Sequence, residues 1–556
     1  MFALLKKIIS SFSRWERVVF FAALGLCAAS TAALAAATLE RKTTEIPAHG
    51  GDYVEGVVGQ PSYVNPVLAA TDVDKGLVRL VFSNIPSLAE KVEMQSDRRT
   101  WDVRLKENLF WHDGKKLTSD DVLFTIQKIQ DPESRSPLAL SWQGITARRV
   151  SELELNIHLP SPYALFAHNL KNLYVLPKHL FTDIPPANWR LSEYNLKPVG
   201  SGPYRFESLT QQPDGFVSAY ELRAWSPPLR PPANMAGGAP GGVPNIARFS
   251  MRFFRNMDEV LKSFNAGRID GFAGGDATAL RGIRRPYALH TFTTPSYYAA
   301  FMNPTHNAAL KDPVVRTVLR EAAREVPLVG NVLGGHGIPQ EGPLPGTVPA
   351  TSTVSAPDLA QKLDAAGWKL TTSTPARVKH QGKASTTLEA ALIVPELPFL
   401  IATGEALRDA WRALGMSITL VPMHPEDILS AVIKNRDYDI LLFGNVANPA
   451  EDLYPFWHSS QRFYPGLNIS LFNNKKADVL LEAIREEVDA STRREKLNAL
   501  AALIEREAPA AFLYSPQYLF VTAKNVEGVE SRYIENPPDR FSNVASWYVK
   551  TARVLR

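Results

Sequence analysis

The stretch Tyr438-Asp439-Ile440-Leu441-Leu442-Phe443-Gly444-Asn445 decides how the chain is read. An apolar run of strand length closes in a glycine, and polar and aromatic residues follow, from Asn448-Pro449-Ala450-Glu451-Asp452 to Trp457-His458. A sheet interior has no need of those later side chains, so the run reads as a strand that delivers a recognition loop. The pattern around it is consistent. Leu388 to Val394 is a strand, Glu405 to Leu414 an amphipathic helix stopped by Gly415, Ser417 to Val421 a strand, and Glu426 to Asn435 a helix leading into Tyr438. Helices alternating with apolar strands mark an α/β domain, and open α/β sheets place ligands beyond the carboxyl ends of their strands.

Outward from this domain the signals are local. Ser296 to Asn303 is a strand, and Asp312-Pro313 opens a helix with an N-cap and a proline at its first position, turning Val315, Val318 and Leu319 inward. Gly334 to Pro357 reads as a Pro-rich connection ending in the helix Asp358 to Ala366, closed by Gly367. Nearer the N-terminus, the strand Gly51 to Gly59 leads to a loop, Gln60 to Pro66, that carries Tyr63 and Asn65. Trp101 to Leu105 alternates as a strand, Trp111 to Gly114 is an Asp-Gly turn, and Thr118 with Asp121 starts the helix Asp120 to Gln130 in the manner of a capping box. His112 is read as a turn residue, since no nucleophile stands at a readable spacing. Glu152 to Leu159 is a strand with one wet face, and Pro198 to Phe206 is a sharp turn entering another. Ser226 to Gly242 is a Pro/Gly-dense insertion expected to form a mobile surface loop. The tail holds helices over Lys476 to Val488 and Thr492 to Glu507, then strands at Ala511 to Tyr514 and Tyr518 to Thr522.

Composition bounds the function. A chain of 556 residues, 45% apolar and 21% charged, is soluble in type and too long for one core. Its net charge of +5 is small, and Lys6, Lys7, Arg14 and Arg17 supply part of it, so no nucleic-acid partner is expected. Cys27 is the only cysteine, which excludes an internal disulfide and a thiolate zinc site.

From Val18 to Leu39 no residue is charged, and four basic side chains against Glu16 precede the run. Such a segment spans about 30 Å as a helix, enough to cross a bilayer, and the positive-inside rule puts everything after Glu40 outside. Three readings stay open: an uncleaved signal anchor, a signal peptide cleaved near Ala33-Leu34-Ala35-Ala36-Ala37, and a lipid-modified Cys27, for which Leu26 is a poor fit. All three export the main body.

With these segments in place, the chain resembles the dipeptide/oligopeptide-binding family (family 5) of extracytoplasmic solute-binding proteins of ABC importers. The resemblance is carried by Leu105 to Gly114 running on to Leu117-Thr118-Ser119-Asp120-Asp121-Val122, by Pro198-Val199-Gly200-Ser201-Gly202-Pro203-Tyr204, by Ala365-Ala366-Gly367-Trp368, and by Tyr438-Asp439 with its strand. It covers nearly everything after residue 50. It implies a two-lobed α/β fold with an extra subdomain in the first lobe, preceded by an N-terminal transmembrane helix: residues 48–293 as the first lobe, 294–514 as the second, and 515–556 returning to the first. Hinges fall near Thr293 and Ser515. Ligand would be caught as the lobes close.

The ligand-contacting residues expected on this reading are Tyr63, Asn65, Trp142, Asn445, Asn448, Asp452, Trp457 and His458, with no catalytic residue, metal or cofactor. Trp457 and His458 either line the pocket or pack the loop onto its lobe. In peptide-binding relatives an aspartate four residues before the loop proline pairs with the peptide amine. Counted back from Pro449, that position is Asn445, and Asp452 or Glu451 is then a candidate substitute. The expected partners are a peptide or other small solute, ABC permease subunits and the membrane, with the protein a monomer. A membrane-anchored peptide sensor or chaperone-like binder shares the same fold. A secreted hydrolase is opposed by the lack of a Gly-x-Ser-x-Gly elbow, a His-Glu-x-x-His pair and a phosphate loop.

Overall fold

The strand Ile440–Val446 is an interior member of a six-stranded sheet, which explains its composition. The computed structural model describes residues 12–226, 243–274, 277–344, 355–371, 375–382, 384–446 and 452–555, with backbone alone at 32–33, 35–42, 277–278, 445–446, 553 and 555. In strand order the sheet is Gly337–Pro339, Ala510–Pro516, Ser296–Met302, Ile440–Val446, Glu389–Pro395 and Ser417–Met423. Ile440 and Leu442 join one buried cluster with Ala300 and Met302, while Leu441 joins another with Ala299 and Phe301. Both faces are therefore covered, and a strand buried on both faces must be apolar at every position rather than at alternate ones.

A second sheet of seven strands runs in the order Tyr287–Phe292, Tyr518–Ala523, Gly271–Ala273, Asp52–Val58, Arg248–Phe254, Val217–Ala224 and Tyr204–Gln211. A separate four-stranded sheet holds Ala89–Met94, Thr100–Leu105, Glu154–His158 and Thr146–Arg149. The chain passes between the two large sheets twice, from Phe292 to Ser296 and back from Pro516 to Tyr518. After the return, Arg540 buries its guanidinium against Glu55 at 2.8 Å, and Trp547 packs on Tyr53, Phe520 and Phe541.

Local signals held. Thr118 and Asp121 form a reciprocal capping box on Ser119–Gln130, and Asp312 caps Pro313–Arg324 with proline in the first turn. The Pro198 to Phe206 turn is fixed by close approach: a Cβ at Gly202 would stand 2.7–2.9 Å from the backbone of Val81 and Phe82, and one at Gly200 would collide with the Val81 carbonyl. His112 clamps this turn. It accepts from the Gly200 N–H at Nδ1 (3.3 Å), and its Nε2 donates to the Gly202 carbonyl (3.0 Å), which assigns the neutral Nε2–H tautomer.

Other expectations are corrected. The helix expected from Glu405 begins at Pro398 and runs to Ala413, because proline at the start of a helix forfeits no hydrogen bond. The helical turns before Tyr438 contain a π-helical segment, Ile428–Ile433. Within the Pro-rich connection, Gly337–Pro339 pairs with Ala510–Pro516 as an edge strand. The Pro/Gly-dense insertion lies outside the described residues from 227 to 242.

The N-terminal helix spans Arg14–Lys42 and passes directly into Thr43–Pro47, which pairs antiparallel with Thr551–Leu555. Among the described residues no helix is long and apolar enough to cross a membrane, the uncharged run from Val18 to Leu39 being only partly covered there.

Candidate functional site

Three cavities share lining residues, and one of them has walls from both large sheets. The largest, about 730 Å³, sits at both crossings, walled by Thr294, Ser296, Gln517 and Tyr518 together with Tyr298 and Phe399. Asn536 also lines a second cavity of about 440 Å³, bounded by Trp142 and Tyr174 on one side and Phe456 and Leu467 on the other. Ser141 and Asn169 pass from that cavity into a third, about 560 Å³, which reaches Tyr163, Asp452 and Arg485. This linked set is termed the trough, and each of its cavities falls within the roughly 300–1,000 Å³ typical of small-ligand sites.

Polar groups along the trough are organised rather than free. Glu535, at the junction of the first two cavities, receives Lys171 Nζ at 2.7 Å and Asn172 Nδ2 at 3.2 Å, with His168 Nδ1 at 3.4 Å. Burial acts to raise its carboxyl, but the bonds from His168, Lys171 and Asn172 outweigh that and hold it at about 2. At the far end, Tyr163 Oη donates to Asp452 Oδ2 at 3.2 Å, and Arg485 Nε stands 3.2 Å from the same oxygen. The Arg485 guanidinium lies over two rings, Tyr454 at 4.6 Å and Tyr163 at 5.3 Å. Main-chain bonds accompany this contact: Ala164 N–H donates to the Arg485 carbonyl at 2.9 Å, and Arg98 Nη2 to the Glu486 carbonyl at 2.6 Å. Chemically this is a place able to hold a small solute, with apolar walls and hydrogen-bonding groups.

The sequence model of the bacterial extracellular solute-binding proteins, family 5 (middle), matches residues 84–464. This chain belongs to that family. The oligopeptide-binding protein AppA of Bacillus subtilis (strain 168) is 24% identical over 543 residues, spanning 92% of this chain and 93% of AppA. The structure of AppA from Bacillus subtilis in complex with a nonapeptide superposes with a TM-score of 0.65 at 22% identity, covering 91% of this chain and all of that one (100%). NikZ from Campylobacter jejuni in complex with Ni(L-His) gives a TM-score of 0.68 at 21% identity, covering 89% and 99%. The solute-binding protein thus has the mixed α/β fold of periplasmic binding proteins, and its family consists of binding proteins rather than enzymes.

Within this solute-binding protein the expected contact residues separate. Asp452 and Trp142 line the trough. Asp452, only 3% exposed, is occupied by Arg485 and Tyr163, which corrects the idea of it as a spare carboxylate for a ligand amine. Tyr63 instead lies under the Arg190 guanidinium at 4.9 Å. Asn65 is 1% exposed, with Oδ1 accepting from Val67 N–H and Nδ2 donating to Asn195, so it staples its own loop. Trp457, 0% exposed, packs against Phe472 and Phe512, and of the two readings open for it packing is the one observed. His458 stacks on Tyr454 at 4.1 Å and accepts from Ser460 N–H, and it lines none of the three cavities. Asn445 pairs through its backbone register with Tyr297, while Asn448 and Glu451 lie outside the described residues. Among the described residues no group of three metal-ligating side chains converges.

Sequence reasoning missed Tyr163, Tyr298, Phe399, Arg485 and Glu535. For Tyr298 a signal existed: adjacent Tyr297 and Tyr298 on one strand must face opposite ways. Nothing local distinguishes Arg485 from the other charged residues of its helix.

Proposed function

We propose that this solute-binding protein is the extracytoplasmic substrate-binding component of an ABC importer, which captures a peptide or related small solute between two lobes and delivers it to a membrane permease. The observation that carries the reading is the cavity at the crossings, walled by both large sheets and linked through shared lining residues to two more. The ligands of the similar proteins, a nonapeptide and a nickel–histidine complex, support peptides and amino-acid-sized solutes as the class. Residues 48–293 and 515–556 form one lobe and 294–514 the other on this reading, which the two crossings between sheets support. The run from Val18 to Leu39 serves as the export signal and, uncleaved, as the anchor; its freedom from charge and the basic residues before it are the support.

Native mass spectrometry of the protein purified from its host tests the ligand. A ladder of peptide masses released on denaturation is expected, and a single non-peptide mass overturns the peptide reading. Carbonate extraction of membranes tests the anchor, with the full-length protein expected to remain in the pellet.

A further inference from the structure

The cavity at the crossings has an uneven wall. On the side of the six-stranded sheet it is aromatic and aliphatic, with Tyr298, Leu333 and Phe399, and the rings of Tyr298 and Phe399 meet edge to face at 5.4 Å and 85°. Tyr518 and Leu519 continue the apolar lining on the other side. Its charged lining is sparse: Asp72, Arg281 and Glu535, the last ion-paired with Lys171. Burying an ionic group there requires a partner, whereas an apolar group gains directly from the apolar wall.

Tyr298 owes its position to Gly444, the glycine that closes the apolar run. The two are register partners on adjoining antiparallel strands. A Cβ at 444 would stand 2.8 Å from Tyr298 Cε1 and 3.1 Å from Cζ, closer than carbon atoms pack. A side chain there requires the ring to give way, which shifts the wall it forms. Loop punctuation is thus not the only use of this glycine.

Taking the trough as the ligand site, we propose that its largest cavity is a specificity pocket for an uncharged apolar side chain of the ligand, aromatic by preference. Tyr298 is the ligand-facing wall and Gly444 its positioning residue. An aromatic ring entering beside Tyr298 and Phe399 gains buried apolar area and joins that pair as a third ring.

The test compares Ala-Phe-Ala with Ala-Ala-Ala and Ala-Glu-Ala by calorimetry on protein freed of co-purified ligand, and adds the neutral fluorophore N-phenyl-1-naphthylamine. Ala-Phe-Ala is expected to bind at least about tenfold tighter than the other two, the scale of burying one large side chain. Gly444→Ala and Tyr298→Ser should each reduce that ratio, and Tyr298→Phe should keep it, which separates the pocket from a general folding defect. Equal affinities in the wild type, or a ratio unchanged in both variants, overturn the proposal. If no peptide binds, the peptide reading fails on its own and the fluorophore decides the pocket. Saturable 1:1 binding that weakens in Tyr298→Ser supports it, and binding that is absent or unchanged overturns it.

Discussion

Tyr163 Oη donates to Asp452 Oδ2 at 3.2 Å, joining residues 289 positions apart across the end of the trough. Arg485 seats the same carboxylate from the other side. On the proposed two-lobe reading the bond joins bodies that part to admit a solute, so it belongs to the closed arrangement and is lost in the open one. Tyr163→Phe removes the hydroxyl and little else. One hydrogen bond of about 0.5–1.5 kcal/mol predicts a two- to tenfold faster ligand release, read by stopped-flow fluorescence, with little change in the association rate.

Removing Arg485 acts differently. Asp452 is buried, so Arg485→Leu leaves a desolvated carboxylate with Tyr163 as its remaining side-chain donor. The Arg485 side chain is itself 38% exposed, and solvent screening holds the loss near the surface-pair scale, about 1 kcal/mol. A lowered urea midpoint is expected, and Asp452→Asn combined with Arg485→Leu should recover part of it. A double variant no better than the single one would show that the pair is not coupled.

The turn at Gly200 and Gly202 gives a sharper stability prediction. Val81 backbone occupies the space a side chain would need at either position. Gly202→Ala must shift a main chain rather than a flexible side chain, which costs about 1–3 kcal/mol or more. Chemical denaturation reads this directly, and Gly114→Ala, whose Cβ meets nothing within 4 Å but whose φ is +87°, supplies a control in which strain alone acts.

What could be read in the sequence follows the range of the forces involved. Thr118 and Asp121, or Asp312 and Pro313, settle their helix starts within a few residues, and Ile440 to Leu442 had to be doubly buried because every position was apolar. The trough is different in kind. Tyr163 meets Asp452 and Arg485, and Glu535 meets Lys171, across hundreds of residues, so no window of sequence contains these interactions. Asn65 and Trp457 misled for a related reason: an amide can staple its own turn, and an aromatic ring serves a core as readily as a pocket.

His112 predicts a pH dependence. Burial, aided by the Arg205 charge and only partly offset by the Gly202 carbonyl, pushes its imidazole down to about 4 from the ordinary 6.5. Between these values the unfolded chain binds a proton that the native one refuses, so this contribution is complete above pH 6.5 and is lost as pH falls towards 4. The stake is about 3 kcal/mol at most. Stability measured from pH 7 to 4 should fall more steeply in the wild type than in His112→Gln, which has no proton to take up.

Asn445 carries the last prediction. Its backbone pairs with Tyr297, one position from the Tyr298–Gly444 contact. Asp452, the described carboxylate nearest in sequence beyond it, is already held by Arg485 and Tyr163. If the ligand presents a free amine, an amide at 445 can hydrogen-bond it without neutralising it. Asn445→Asp is then expected to tighten binding of peptides with free N-termini by about tenfold or more, since a charge-assisted bond is roughly twice as strong as a neutral one. N-acetylated peptides should show no gain. Calorimetry on both sets reads the difference, and equal affinities for wild type and variant would mean that the amine is not read at this position.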